Sequence, residues 1–128
     1  MKEQLANFLP VFYQFVERNS WFILLAAGVF EVAWALSLKL SHGYTKLTPT
    51  LATIPLALAS TALLAMSMRA IPMSVAYMVW AGLGAMGTVI IGMMYFGEQV
   101  TLGRLLCIAL IVAGVVGLKF TVAPATGG

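Results

Sequence analysis

The sequence has no aspartate, one histidine, His42, and one cysteine, Cys107. These scarcities exclude whole classes of chemistry. A single cysteine inside an apolar run permits no intrachain disulfide and no thiolate cluster for a metal, and its use leaves the compartment open. One histidine without aspartate excludes histidine-based metal sites and Ser/His/Asp triads within the chain. No metal, cofactor or enzymatic activity is therefore expected. Charge is scarce as well, at 9% of 128 residues. Seven Lys and Arg against four Glu leave a formal +3. These basic residues are scattered singly, which argues against a nucleic-acid partner and for lipid headgroups.

Low charge is matched by 62% hydrophobic residues and a mean hydropathy of +1.00. Soluble domains run at roughly 45–50% apolar and about 25% charged, so this chain lacks the polar groups to cover a water-facing surface. Four spans of about 20 residues, each long enough to cross about 30 Å of hydrocarbon, use about 80 positions and leave only short connections. The expected fold is all-α, a four-transmembrane-helix bundle in which backbone polar groups are satisfied inside helices.

Residues 1–20 carry Leu5, Phe8, Leu9, Phe12, Phe15 and Val16 at helical spacing, with Lys2, Glu3, Gln4, Gln14, Glu17 and Arg18 as a polar side. This pattern predicts an amphipathic N-terminal extension lying in the membrane interface, with a disordered tail as the alternative. Pro10, Gln14 and the charged end speak against a signal peptide. The spans then follow over residues 21–120. The first runs from Trp21 to Leu40 and the second from Leu47 to Met68, with Pro49 near its start and Pro55 inside it. The third runs from Pro72, suited to a first helical position, to Phe96, and its Gly82, Gly84, Gly87 and Gly92 imply close helix contact or bending. The fourth covers Leu102 to Phe120, and 121–128 form a short tail of small residues.

Four spans put Lys2, Arg18, Arg69 and Lys119 on one side and Lys39, Lys46 and Arg104 on the other, four against three. So small a bias hardly sets a topology. Both orientations are then expected to insert and to pair as an antiparallel homodimer; the alternative is that the weak bias suffices and every copy points one way.

Glu31 sits about ten residues into the first span, near the bilayer midplane, where an ionisable group costs on the order of 2.5–3.5 kcal/mol on insertion scales. Gly28, Trp34 and Ala35 share its helix face. Ser74, Tyr77, Trp80, Gly84 and Thr88 line a face of the third span, and Thr53, Ala57, Ser60 and Ser67 a face of the second. Together they predict a wet or ligand-holding interior. Ser60 is the weakest of these by position, because an isolated serine in a membrane helix commonly bonds its own backbone. Glu98, in a turn that water reaches, reads as structural. A carboxylate amid aromatic faces is an address for a cation, above all a planar guanidinium with paired N–H donors. Protons and a cationic substrate would compete for it, which is a coupling mechanism if the site opens to one side at a time.

The residues Gly28-Val29-Phe30-Glu31-Val32-Ala33-Trp34-Ala35, Leu38-Lys39, Gly43-Tyr44-Thr45, Pro49, Ser60, Ile71-Pro72, Ala76-Tyr77-Met78-Val79-Trp80-Ala81-Gly82-Leu83-Gly84, Phe96-Gly97-Glu98 and Leu110-Ile111-Val112-Ala113-Gly114-Val115 resemble the small multidrug resistance transporters. The order and spacing of these motifs over about residues 21–120 carry the resemblance. Tryptophan three positions after the membrane glutamate is similar to the guanidinium exporter subtype; the quaternary ammonium multidrug subtype usually has glycine there.

The resemblance implies a proton-coupled antiporter of the bacterial inner membrane, working by alternating access as an antiparallel dual-topology homodimer. It implies that Glu31 binds substrate and protons, that Trp34 and Ser60 hold Glu31 by hydrogen bonds, that Gly28 makes room, and that Tyr77 and Trp80 line the site. Gly82 and Gly84 would flank the hinge of the third span, and Leu110, Ile111, Gly114 and Val115 would form the dimer contact. Cys107 stands where the family commonly has glycine, and Met78 replaces a usual small residue. Export of larger quaternary ammonium compounds is the alternative within the same mechanism. A non-transporting membrane scaffold is the alternative outside it, and it leaves Glu31 unexplained.

Overall fold

The computed structural model describes residues 1–121; the tail expected over 121–128 lies, after Thr121, outside the described residues. The chain forms five helices: α1 (Lys2–Arg18), α2 (Ser20–Leu40), α3 (Leu47–Ser67), α4 (Met73–Tyr95) and α5 (Leu102–Thr121). All described residues outside them lie in turns or short connections. Helices α2 to α5 are each long and apolar enough to cross a bilayer, and their bounds fall within a residue of the expected spans. Pro72 differs slightly from expectation. It caps α4 with an extended backbone (φ −54°, ψ 141°) and the helix starts at Met73, because an extended residue ahead of the first turn needs no helical hydrogen bond.

Helix α2 is the centre of the fold, packing on α3 along most of its length and on α4 along another face, while α5 packs on α4 alone. Leu24, Ala27, Leu64, Ile71, Ala76 and Val79 form the core where α2, α3 and α4 meet. The core is small because lipid-facing side chains stay apolar, so much of the hydrophobic surface remains exposed on the single chain. The α2–α3 turn is tight, with His42, Gly43 and Tyr44 all at positive φ. The Ser41 hydroxyl pins it, donating to the Leu38 carbonyl at 2.7 Å and accepting from the Tyr44 N–H at 3.1 Å.

Pro10 lies inside α1 and Pro55 inside α3 without ending either helix. Helix α1 is separated from α2 by Asn19 alone, and it is docked on the bundle. Val16 is fully buried, the Arg69 guanidinium in the α3–α4 turn lies 4.0 Å over the Tyr13 ring, and Glu17 reaches the same guanidinium at 3.7 Å. The ion pair is solvent-exposed and contributes little, so the stacked ring is the stronger hold. Arg69→Ala is expected to loosen α1 roughly two- to fivefold, the equivalent of about 0.5–1 kcal/mol for an exposed cation–π contact. Hydrogen exchange of residues 2–18 in detergent will rise by that factor, with exchange in α2 to α4 unchanged.

Candidate functional site

Three helices bring one polar side chain each to a common point. Ser60 on α3 is completely buried. Its hydroxyl oxygen lies 2.8 Å from the Ala27 carbonyl oxygen and 3.3 Å from Glu31 Oε2, both on α2. From α4, the Trp80 indole N–H donates to the same hydroxyl at 2.9 Å. A hydroxyl has one proton to give and two lone pairs to receive. Trp80 takes one lone pair, and the proton goes to either the Ala27 carbonyl or the Glu31 carboxylate. An ionised Glu31 draws the Ser60 proton to itself. A protonated Glu31 donates to the free lone pair, and Ser60 turns its own proton to Ala27. The bridge thus accommodates both charge states of the carboxyl group without moving a helix.

Position alone predicts that Ser60 bonds its own helix, as Ser67 does to Leu64 at 2.7 Å and Thr53 does to Thr50 at 2.6 Å, whereas the family resemblance implies a bond to Glu31. Ser60 bonds across to α2, because the backbone of Ala27 and the side chain of Glu31 both face it. Thr53, Ser60 and Ser67 are all buried on one face of α3, but only Ser60 reaches across it to the carboxylate. On α4, Thr88 likewise turns inward on its own helix, donating to the Gly84 carbonyl.

Glycines set how closely α4 approaches this point. A Cβ at Gly84 would stand 2.7 Å from Glu31 Cγ, and one at Gly28 would stand 2.9 Å from Leu83 Cβ. Gly28 therefore makes room for Leu83 of α4 rather than for the carboxylate itself; it is Gly84 that admits Glu31. Gly82 faces the other way, against Val115 and Ile111 of α5. The two expected hinge glycines thus serve different interfaces, and α4 runs through them as one helix.

Glu31 and Trp34 are half-buried. Among the described residues, no hydrogen bond joins Trp34 to Glu31. Tyr77, 55% exposed, packs tilted on Trp80 at 5.3 Å between ring centroids. In the single chain these groups form an open wall with Glu31 on it. The ion pairs among the described residues are Glu17 with Arg69 and Glu98 with Arg104, the latter at 3.0 Å, so Glu31 has no cationic partner there. The four residues implied for the dimer contact divide as well. Leu110 is 72% exposed and Gly114 faces open space, whereas Ile111 and Val115 pack against Gly82 of their own chain. The Ala27 carbonyl and the packing of Leu83 against Gly28 are what sequence reasoning missed. A backbone carbonyl carries no sequence signal, and leucine is too common in a span to stand out.

Four helices long and apolar enough to cross a bilayer, one of them carrying a carboxylate with no cationic partner among the described residues, define a multi-pass membrane protein. The model of the Small Multidrug Resistance protein family matches residues 19–111. Proteins named guanidinium exporter from Citrobacter freundii and Salmonella typhimurium are each 48% identical over 102 residues, covering 80% of this chain and 97% of theirs. One from Proteus vulgaris is 46% identical over 100 residues, 78% of this chain and 96% of its own. The chain belongs to the small multidrug resistance family. Helix α1 lies wholly ahead of the matched stretch.

Ser60→Ala is expected to orphan the Trp80 N–H and remove the bridge to α2, at a cost of about 1–3 kcal/mol. Ser67→Ala removes only a bond within α3. Thermal unfolding in detergent will place Ser60→Ala clearly below Ser67→Ala; equal midpoints would mean that the bridge carries no stability.

Proposed function

We propose that the chain exchanges protons for a small planar cation of the guanidinium class across the inner membrane, as an antiparallel homodimer with alternating access. The observation that carries this reading is Glu31: a half-buried carboxylate in the middle of a span, without a cationic partner among the described residues, bridged through Ser60 to Trp80. An ionisable group held at such a depth marks a cation or proton pathway by default. The relatives named guanidinium exporter support the substrate class.

Chemically, a guanidinium offers two parallel N–H donors that match the two carboxylate oxygens, and the faces of Trp34, Tyr77 and Trp80 suit a planar cation. Proton and substrate occupy the same carboxylate, so each expels the other. Tyr77 and Leu110 are exposed on the single chain, and a second copy supplies the missing wall and a second Glu31. The four-to-three distribution of basic residues lets that copy insert upside down. Gly82 and Gly84 lack the side chains that would lock α4 to both neighbours, and we assign the bend that exchanges inward and outward openings to this segment.

The test is reconstitution of the purified chain alone in liposomes. A guanidinium gradient is expected to drive a proton-coupled current, with apparent affinity for guanidinium falling as the pH is lowered because protons take the shared carboxylate. Glu31→Gln is expected to reduce the current to that of empty liposomes. A variant that still couples guanidinium to protons would sink the reading. A larger response to a bulky quaternary ammonium than to guanidinium would move the substrate class, and no response from the lone polypeptide would point to a scaffold or to a second, paralogous chain.

A further inference from the structure

A groove of about 380 Å³ runs between α2 and α5 with α4 as its floor. It lies apart from the Glu31 wall. Leu83 and Met86 form the floor, Leu25 one side, and Val112 and Val116 the other. At one end Lys119 and Trp21 make the rim, the ammonium lying 5.8 Å from the centroid of the indole. Among the described residues the ion pairs use Arg69 and Arg104, and Lys119 has no carboxylate beside it. We propose that this groove is a binding site for one anionic phospholipid, with an acyl chain between α2 and α5 and the headgroup phosphate at Lys119.

Three features select that occupant. The first is charge: the lining is apolar except at the rim, where a single ammonium is placed by an aromatic ring suited to the headgroup level. The second is length. From Val112 to Phe120 the α5 wall rises roughly 12 Å, most of one leaflet of about 15 Å. The third is the position of the groove on α5. Val112 and Val116 lie roughly 160° around the helix from Leu110 and Gly114, the exposed flank that the proposed second copy would take. A dimer built on that flank leaves the groove facing lipid. Leu83 joins the two sides of α4, touching the groove on one side and approaching Gly28 on the other, so the acyl chain lies directly behind the carboxylate wall.

The experiment is native mass spectrometry of the full chain in mild detergent, incubated with phosphatidylglycerol or phosphatidylcholine of identical acyl chains. The wild-type chain is expected to retain phosphatidylglycerol about fivefold better, the gain typical of one lysine near a lipid of net negative charge, which the choline of phosphatidylcholine cancels. Lys119→Gln is expected to bring the two lipids to parity and Lys119→Arg to keep the preference. Val116→Trp, which fills the groove away from Glu31, is expected to lower retention of both. Equal retention by the wild type, an undiminished preference in Lys119→Gln, or photocrosslinking from position 116 to a second copy of the chain would each overturn the proposal. The lipid site rests on the proposed function for the α5 flank assigned to the second copy, but none of these readouts depends on transport, so failure of the lipid site and failure of the exchange mechanism are distinguishable.

Discussion

One buried hydroxyl ties the three central helices to the charge state of a carboxyl group. Ser60 receives from Trp80 on α4 and gives to either Ala27 or Glu31 on α2, so it carries the polar link from α3 to both neighbours. In hydrocarbon an unpaired polar group is expensive, and no buried side-chain nitrogen or oxygen among the described residues lacks a partner. The carboxylate is therefore held without being neutralised by an internal cation.

Close packing follows from the same requirement. Helix α4 reaches Glu31 only because Gly84 has no side chain, and it reaches α5 through Gly82. Two positions within a single turn of one helix thus face opposite partners. The outcome is a compact α2–α3–α4 unit with α5 attached by a single interface and much apolar surface left for lipid or another copy. Helix α1 adds a second attachment outside the spans, with Tyr13 and Glu17 gripping Arg69 just ahead of α4.

The four spans and their ends were legible because hydropathy and length are sums over neighbouring residues, and a bilayer imposes them directly. Glu31 was legible for the converse reason: one carboxylate stands out against an apolar run. Family membership was legible in the order of motifs from Gly28 to Val115. Other assignments were not. Thr53, Ser60 and Ser67 share a polar character and a helix, yet only Ser60 reaches the carboxylate. Trp80 rather than Trp34 makes the indole bond to the network. Ile111 and Val115 pack on their own α4, while Leu110 and Gly114 stay open.

The amino-acid sequence by itself determined how many times the chain crosses the membrane, where its single intramembrane acid lies, and which family it joins. Tertiary structure alone decided that the serine meeting that acid across 29 residues of chain also takes the Ala27 carbonyl, and that the indole meeting the serine across 20 is that of Trp80. The reason is register. The rotation and depth at which two helices meet depend on which glycine admits which side chain, and that fit exists only once both helices are packed together.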